Sequence, residues 1–111
     1  MELSFANRKV AKELADEKSI TRRYGTDNGR RICQRLTQLM AAPNLETLRS
    51  LPQMRAHELT ADRAGRISVD VRHPYRLVLV PDHDEVPRKA DGGLDWSRVT
   101  RVKILEIVDT H

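Results

Sequence analysis

Two histidines and an arginine stand where predicted strands of the C-terminal half begin or end. His57 precedes the first of these segments, Arg76 lies in the next, and His111 follows the last. Ends of strands that are distant in sequence can meet at one edge of an antiparallel sheet, so these three side chains can converge. Two imidazoles beside a guanidinium would suit acid–base chemistry around a phosphate. The alternative is that both histidines are ordinary surface residues and that Arg76 pairs with Asp70 across a hairpin.

The other reactive side chains fit no familiar site. His83 lies between two aspartates, but this spacing matches no known metal site, and a solvated loop is favoured. Cys33 is the only cysteine, which excludes an internal disulfide or a thiolate zinc cage, and we expect it to be a small core residue. The chain has no glycine-rich phosphate loop, no GxSxG segment and no HExxH segment. The sequence therefore predicts no metal and no cofactor.

The N-terminal half has the pattern of a short strand followed by helices. Residues 2–6 alternate between polar and apolar, which predicts a strand. Asn7 can cap a helix that ends before the breaker residues 24–29, and its buried positions would be Val10, Ala11, Leu14 and Ala15. The next helix ends at Pro43, with an apolar stripe formed by Ile32, Leu36, Leu39 and Met40. Its outer face is expected to carry Arg30, Arg31, Gln34, Arg35 and Gln38.

The second half has the pattern of strands. After a short turn capped by Asn44, Ile67, Val69 and Val71 alternate with polar residues, and residues 75–80 form the next predicted strand. Residues 82–97 predict a loop, and residues 99–108 predict a last strand whose apolar phase shifts between Ile104 and Leu105, as at a β-bulge. We predict one α+β domain over residues 1–111: a short strand, two to three helices and then an antiparallel sheet.

Length, composition and charge narrow the class of protein. The chain has 111 residues and a net charge of +4, and residues 1–55 hold 11 basic and 6 acidic residues. No apolar segment is long enough to span a membrane, and residues 1–12 lack the apolar stretch of a signal peptide, so we expect a cytoplasmic protein. The predicted basic helix surface of Arg30, Arg31 and Arg35 would complement ribosomal RNA or an acidic partner segment.

Several segments in order resemble the HigB-type (host-inhibition or killer) toxins of the RelE/ParE superfamily, which belong to bacterial toxin–antitoxin pairs. The matching segments cover most of residues 30–80 and the last three residues. They are Arg35-Leu36 with Leu39, residues 45–52 (LETLRSLP), residues 55–59 (RAHEL), residues 62–65 (DRAG), residues 67–71 (ISVDV), residues 75–77 (YRL) and the terminal Asp109-Thr110-His111.

This resemblance implies a microbial-RNase fold and ribosome-dependent, metal-independent cleavage of messenger RNA. It assigns Arg76 to phosphate stabilisation and His57 and His111 to proton transfer, while Asp109 would orient an imidazole and Arg63 would contact RNA. A terminal carboxylate beside His111 would favour its protonated ring, which makes His111 the expected proton donor and His57 the base. The implied partners are a helix-turn-helix (HigA-type) antitoxin, the ribosome and messenger RNA, with promoter DNA reached only through the antitoxin.

Two departures from the family pattern leave other functions open. Thr60 stands where the family usually has lysine, and Thr110 stands where it has tyrosine. Both changes remove groups that could stabilise charge or stack on a base. The alternatives are a non-enzymatic poison of DNA gyrase, as in the ParE branch, and a degenerate toxin that acts only as a partner or co-repressor of its antitoxin.

Overall fold

The alternating segments of the sequence form one five-stranded sheet in the computed structural model, which describes residues 1–109. The strands are β1 (Glu2–Phe5), β2 (His57–Glu58), β3 (Ile67–Asp70), β4 (Tyr75–Pro81) and β5 (Arg101–Asp109). Their order across the sheet is β1-β5-β4-β3-β2. The chain thus has an α+β architecture. In sequence, the helices follow the first strand and precede the other four strands.

The sheet is mixed: the strands that follow the helices are antiparallel, as predicted, and the N-terminal strand, for which no partner was predicted, adds one parallel pair. β1 pairs with β5 in the parallel direction, whereas the other neighbouring strands are antiparallel. A tight hairpin forces its two strands to run antiparallel, but β1 reaches β5 only through the rest of the chain and is free of that constraint. As a result β5 lies inside the sheet, between β1 and β4.

Four α-helices precede β2, and they divide the N-terminal half differently from the prediction. They are α1 (Arg8–Glu13), α2 (Glu17–Tyr24), α3 (Thr26–Ala41) and α4 (Glu46–Arg49). The single helix expected after Asn7 is broken in two, because the Asp16 side chain accepts a hydrogen bond from the Ser19 N–H at 2.7 Å and starts α2. Ala15 falls in this break and is exposed.

The sequence predicted a break between helices over residues 24–29, but the structure has only one non-helical residue there, Gly25. Gly25 has φ +87°, a conformation that glycine adopts without strain, and α3 begins at the next residue. Gly29 lies inside α3, where a Cβ atom would stand 3.1 Å from the Cα of Thr21. The glycine therefore serves the close packing of α2 against α3 rather than a turn.

The apolar residues predicted for α3, β3 and β4 pack into one core. Ile32, Leu36 and Leu39 are buried as predicted, but Met40 is 55% exposed. Met40 is eight positions from Ile32, about 80° further round an ideal helix, so it lies beyond the face that meets the sheet. The other buried residues include Leu45, Leu48, Met54, Ile67, Val69, Val71, Leu77, Leu79, Val102 and Ile104.

The predicted irregularity in the last strand is confirmed. Leu79 pairs with Ile104, and the preceding residue Val78 pairs with Glu106, so Leu105 is an extra residue in β5. This bulge explains the shift of apolar phase in the sequence. The preceding segment, residues 82–97, is a loop as predicted, but Leu94 and Trp96 anchor it in the core. Among the described residues, no helix has the length and apolar character needed to cross a membrane.

Candidate functional site

Cross-strand pairing brings three polar side chains onto one face of the sheet. His57 pairs with Ser68 on β3, and Asp70, two residues further along β3, pairs with Arg76 on β4. Directly paired residues share a face and alternate residues of a strand return to it, so His57, Asp70 and Arg76 point to the same side. They do not share the face of Val69 and Leu77, which pack into the core. The alternation that fills the core therefore also builds this cluster.

The predicted approach of His57 and Arg76 is present in the structure. Arg76 Nη2 lies 3.4 Å from His57 Nδ1, and the same Nδ1 lies 2.9 Å from the Arg55 carbonyl oxygen. A guanidinium can only donate hydrogen bonds, so Nδ1 cannot satisfy both neighbours in one tautomer. The shorter distance assigns the Nδ1 proton to a bond donated to the Arg55 carbonyl. This tautomer leaves a lone pair on Nε2 that can accept a proton.

Arg76 also makes the ion pair considered as its alternative role. Its Nη2 lies 3.0 Å from Asp70 Oδ1, and both side chains are about one-quarter exposed. Arg76 Nε is buried and has no hydrogen-bond partner among residues 1–109. A buried donor without an acceptor costs stability, so Arg76 is not placed for stability alone. The ion pair with Asp70 thus holds the guanidinium, and the imidazole of His57 lies beside it.

A cleft of about 330 Å³ opens beside Arg76 and carries mostly positive charge. Four arginines and a single carboxylate, Asp70, line it. The arginines are Arg31, Arg35, Arg55 and Arg76, and the remaining lining residues are Gln53, Val71, His73, Pro74 and Tyr75. Guanidinium groups bind phosphate oxygens in forked geometry, and positive charges in a concave wall reinforce one another. The cleft is suited to an anionic ligand.

Arg35 contributes to this cleft from the protein interior, and its prediction as part of an exposed basic helix surface is wrong. Only 1% of Arg35 is exposed. Its Nε donates to the Asp70 carbonyl oxygen at 2.7 Å, and its Nη1 donates to Gln38 Oε1 at 2.8 Å. Burial, followed by the nearby charge of Arg31, lowers the pKa of Arg35 from its usual value. The side chain is therefore a structural tie between α3 and β3, and it adds positive charge at the wall of the cleft.

Arg55 has a strained backbone where the chain enters the site. It follows the 3₁₀ turn Pro52–Met54 and has φ +43°, in the left-handed region that non-glycine residues seldom adopt. Its Nε lies 3.7 Å from Asp70 Oδ2, and its carbonyl holds the His57 ring. Strain of this kind persists where the surroundings enforce it and concentrates at functional sites. Arg55 thus positions the imidazole and faces the same carboxylate as Arg76.

The remaining predicted site residues are distributed more widely. Arg31 lines the cleft, whereas Arg30 is exposed on α3 and does not line it. Arg63 is exposed in the 3₁₀ turn Ala61–Arg63, beyond β2. Asp109 pairs with Tyr75, which places it on the sheet face opposite to that of Arg76, and His111 lies outside the described residues. Of the predicted site residues, Arg31, Arg35 and Arg76 therefore line one cleft, and His57 contacts Arg76 without lining that cleft.

Residues that sequence reasoning missed complete the cleft, namely Arg55, His73 and Tyr75. Arg55 has no periodic neighbours, and its one signal was its place at the start of residues 55–59, a segment that resembles the toxin family. A signal for the burial of Arg35 was present, because it lies three residues after Ile32 and four before Leu39 on the buried face of α3.

The two other reactive side chains have structural roles. His83 Nε2 accepts a hydrogen bond from the Thr100 N–H at 3.1 Å, so it ties the long loop to β5. Cys33 is half-buried, and burial raises the pKa of its thiol. Over residues 1–109, no three His, Cys, Asp or Glu side chains are grouped so that they could hold a metal ion.

Comparison of the chain with models of protein families, with curated proteins and with solved structures gives no match. The chemical capacity of the site therefore rests on its own geometry. An imidazole whose Nε2 makes no hydrogen bond to residues 1–109 lies against a guanidinium, and that guanidinium borders an arginine-lined cleft. Such an arrangement can hold a phosphate group and remove a proton from a hydroxyl next to it.

Proposed function

We propose that this protein is the toxin of a type II toxin–antitoxin system and that it cleaves messenger RNA on the ribosome without a metal ion. The observation that carries the proposal is the 3.4 Å approach of Arg76 to His57 at the border of the arginine-lined cleft. These are two of the residues that the resemblance to HigB-type toxins assigns to the reaction. A gyrase poison or a mere binding partner would not require an imidazole beside a guanidinium at the border of such a cleft, and this favours the enzyme over both alternatives.

The proposed reaction is a transfer of the phosphate within the RNA chain. The 2′-hydroxyl attacks the adjacent phosphorus, its proton passes to His57 Nε2, and the bond from phosphorus to the 5′-oxygen breaks. The 5′-oxygen takes a proton from an acid, the role that we assign to His111. Arg76 faces the negative charge that grows on the phosphorane oxygens, where a preorganised cation lowers the barrier. The products are a 2′,3′-cyclic phosphate and a 5′-hydroxyl.

The proposed partner is a helix-turn-helix antitoxin encoded beside the toxin, which would also bring the pair to its promoter. An acidic segment of such an antitoxin would find complementary charge on Arg31, Arg55 and Arg76. Occupation of the cleft by this segment would block access of RNA to His57 and would neutralise the toxin.

The proposal is tested by adding the purified protein to translating ribosomes and mapping the 5′-ends of the message. We expect cuts at codon-defined positions for the natural sequence and at least a 10²-fold slower reaction for His57→Ala. His83→Gln is the matched control, because its imidazole lies in the long loop and a glutamine can still accept a hydrogen bond. Intact messages together with DNA breaks in cells would instead support gyrase poisoning. If both messages and DNA stay intact, the remaining function is that of a partner or co-repressor of the antitoxin.

A further inference from the structure

The single carboxylate in the arginine-lined cleft lies where a bound phosphate would interact. Asp70 Oδ1 is 3.0 Å from Arg76 Nη2, and Asp70 Oδ2 is 3.7 Å from Arg55 Nε. One carboxylate thus lies within ion-pair distance of two guanidinium groups, one at each of its oxygens. A phosphate has the same requirement for charge-assisted donors, and arginine pairs form with either anion.

We propose that the Asp70 carboxylate is an internal occupant of the phosphate site and that RNA must displace it from Arg55 and Arg76. The inference rests on the proposed function for its substrate class, a phosphodiester of single-stranded RNA. Asp70 would then set the affinity of the cleft, since every bound phosphate competes with it for the same two guanidinium groups. Adventitious small anions would be excluded, while an RNA chain with several phosphates would bind.

The rest of the site allows this exchange. The Asp70 backbone is fixed, because β3 pairs with β4 and the Asp70 carbonyl accepts the buried Arg35 Nε. Its carboxylate is about one-quarter exposed and can rotate toward water without moving the strand. Arg55 is mostly exposed and contacts Asp70 only loosely, so its guanidinium can turn to a ligand in the cleft.

The test measures binding instead of cleavage. The probe is a short single-stranded RNA with 2′-deoxyribose at the scissile position, which cannot be cut, and its dissociation constant is measured by fluorescence anisotropy at low salt. We expect Asp70→Asn to bind the probe about tenfold more tightly, because one repelling charge has been removed from the site. Glu46→Gln is the matched control: Glu46 pairs with Arg49 at 3.2 Å outside the cleft, and its loss should change affinity less than about twofold.

Equal or weaker binding by a folded Asp70→Asn variant would overturn the proposal, since Asp70 would then orient Arg76 instead of competing with the ligand. If Asp70→Asn does not fold, a second measurement tests the proposal on the natural sequence. We expect the carboxyl ¹³C resonance of Asp70 to move when the uncleavable RNA probe is titrated, together with the Nε resonance of Arg55. Movement of the arginine signal alone would also overturn it. If the natural protein does not cleave messenger RNA but the RNA probe binds as expected to it and to Asp70→Asn, the proposed function is refuted and this inference stands.

Discussion

Arg76 combines the two roles that sequence reasoning treated as alternatives. It pairs with Asp70 at 3.0 Å, and it also lies 3.4 Å from the ring of His57. A partly exposed ion pair contributes modestly to stability, whereas a guanidinium fixed beside a reacting phosphate can contribute greatly to rate. The same contact therefore matters more for chemistry than for folding.

We expect Arg76→Ala to keep the fold and to slow messenger cleavage by about 10²- to 10³-fold, because a preorganised charge at the phosphorane is lost. Single-turnover cleavage on ribosomes measures this, with circular dichroism and thermal melting as controls of folding. Arg101→Ala is the matched variant, since Arg101 pairs with Glu2 at 2.9 Å on the β1–β5 side of the sheet. A folded Arg76→Ala protein that cleaves at the natural rate would remove Arg76 from the reaction.

Arg35, in contrast to Arg76, is expected to matter more for stability than for the reaction. We expect Arg35→Met to destabilise the protein by about 2–3 kcal/mol, because the Asp70 carbonyl and Gln38 would lose their donor in a buried position. Arg30→Met, on the exposed side of the same helix, should change stability by less than about 0.5 kcal/mol. Urea unfolding of both variants measures the difference. Similar stabilities would contradict the structural role of Arg35.

At the scale of elements, the site depends on how the β3–β4 hairpin is held against the helices. Arg35 ties α3 to β3, and Arg72 Nη1 lies 3.3 Å from Asp27 Oδ2 at the start of α3. Tyr75 packs edge-on against Tyr24 of α2, with ring centroids 5.5 Å apart. These contacts fix the end of the hairpin where the cleft lies, so the arginines of α3 and β4 keep their spacing.

The cap of α2 makes part of the stability depend on pH. Hydrogen bonds from Ser19 hold the pKa of Asp16 below its ordinary value of 3.8. Because the folded-state pKa is lowered, the stabilisation is fully present above the ordinary value and is lost as pH falls through the lower folded-state value. Asp16→Asn retains an oxygen that can cap the helix, so it isolates the effect of the charge.

We therefore expect the natural sequence to melt at a higher temperature than Asp16→Asn at neutral pH, and the difference to disappear as the pH falls below 3.8 through the lowered folded-state pKa of Asp16. Asp62→Asn is the control, since Asp62 is exposed in a 3₁₀ turn and makes no cap. A difference in melting temperature that persists in acid would show that the carboxylate charge is not responsible.

At the scale of the whole molecule, basic residues are unevenly placed. The net charge is only +4, yet four arginines converge on one cleft with a single carboxylate among them. Attraction of a single-stranded RNA to such a cleft depends on the release of counterions, and the affinity falls as salt rises. The local charge, and not the total, should govern this dependence.

Replacing Arg31 and Arg55 together by glutamine should reduce the steepness of the slope of log affinity against log salt by about 1.4. Each phosphate contact contributes about 0.7 to that slope for a single strand. A variant with glutamine at Arg8 and Arg101 has the same net charge but loses no cleft residue, and it should keep most of the slope. Anisotropy titrations of the 2′-deoxy RNA probe over a range of salt measure both. Equal slopes for the two variants would mean that RNA does not bind in the cleft.

The sequence by itself determined the features that repeat along one element. The apolar stripe of α3, the alternation of β3 and the bulge at Leu105 follow from helical and strand periodicity, which are local properties of the chain. The proximity of His57 and Arg76 was also within reach, because strand ends in one sheet meet at its edge.

Only the tertiary structure decided which charges are buried and which face one another. Arg35 is buried because an acceptor on β3 meets its Nε, and the parallel pairing of β1 depends on where β5 lies. Arg55 joins the cleft through a left-handed turn that its neighbours in sequence do not specify. A side chain's partner across the fold sets the cost of burying its charge, and no local pattern contains that partner.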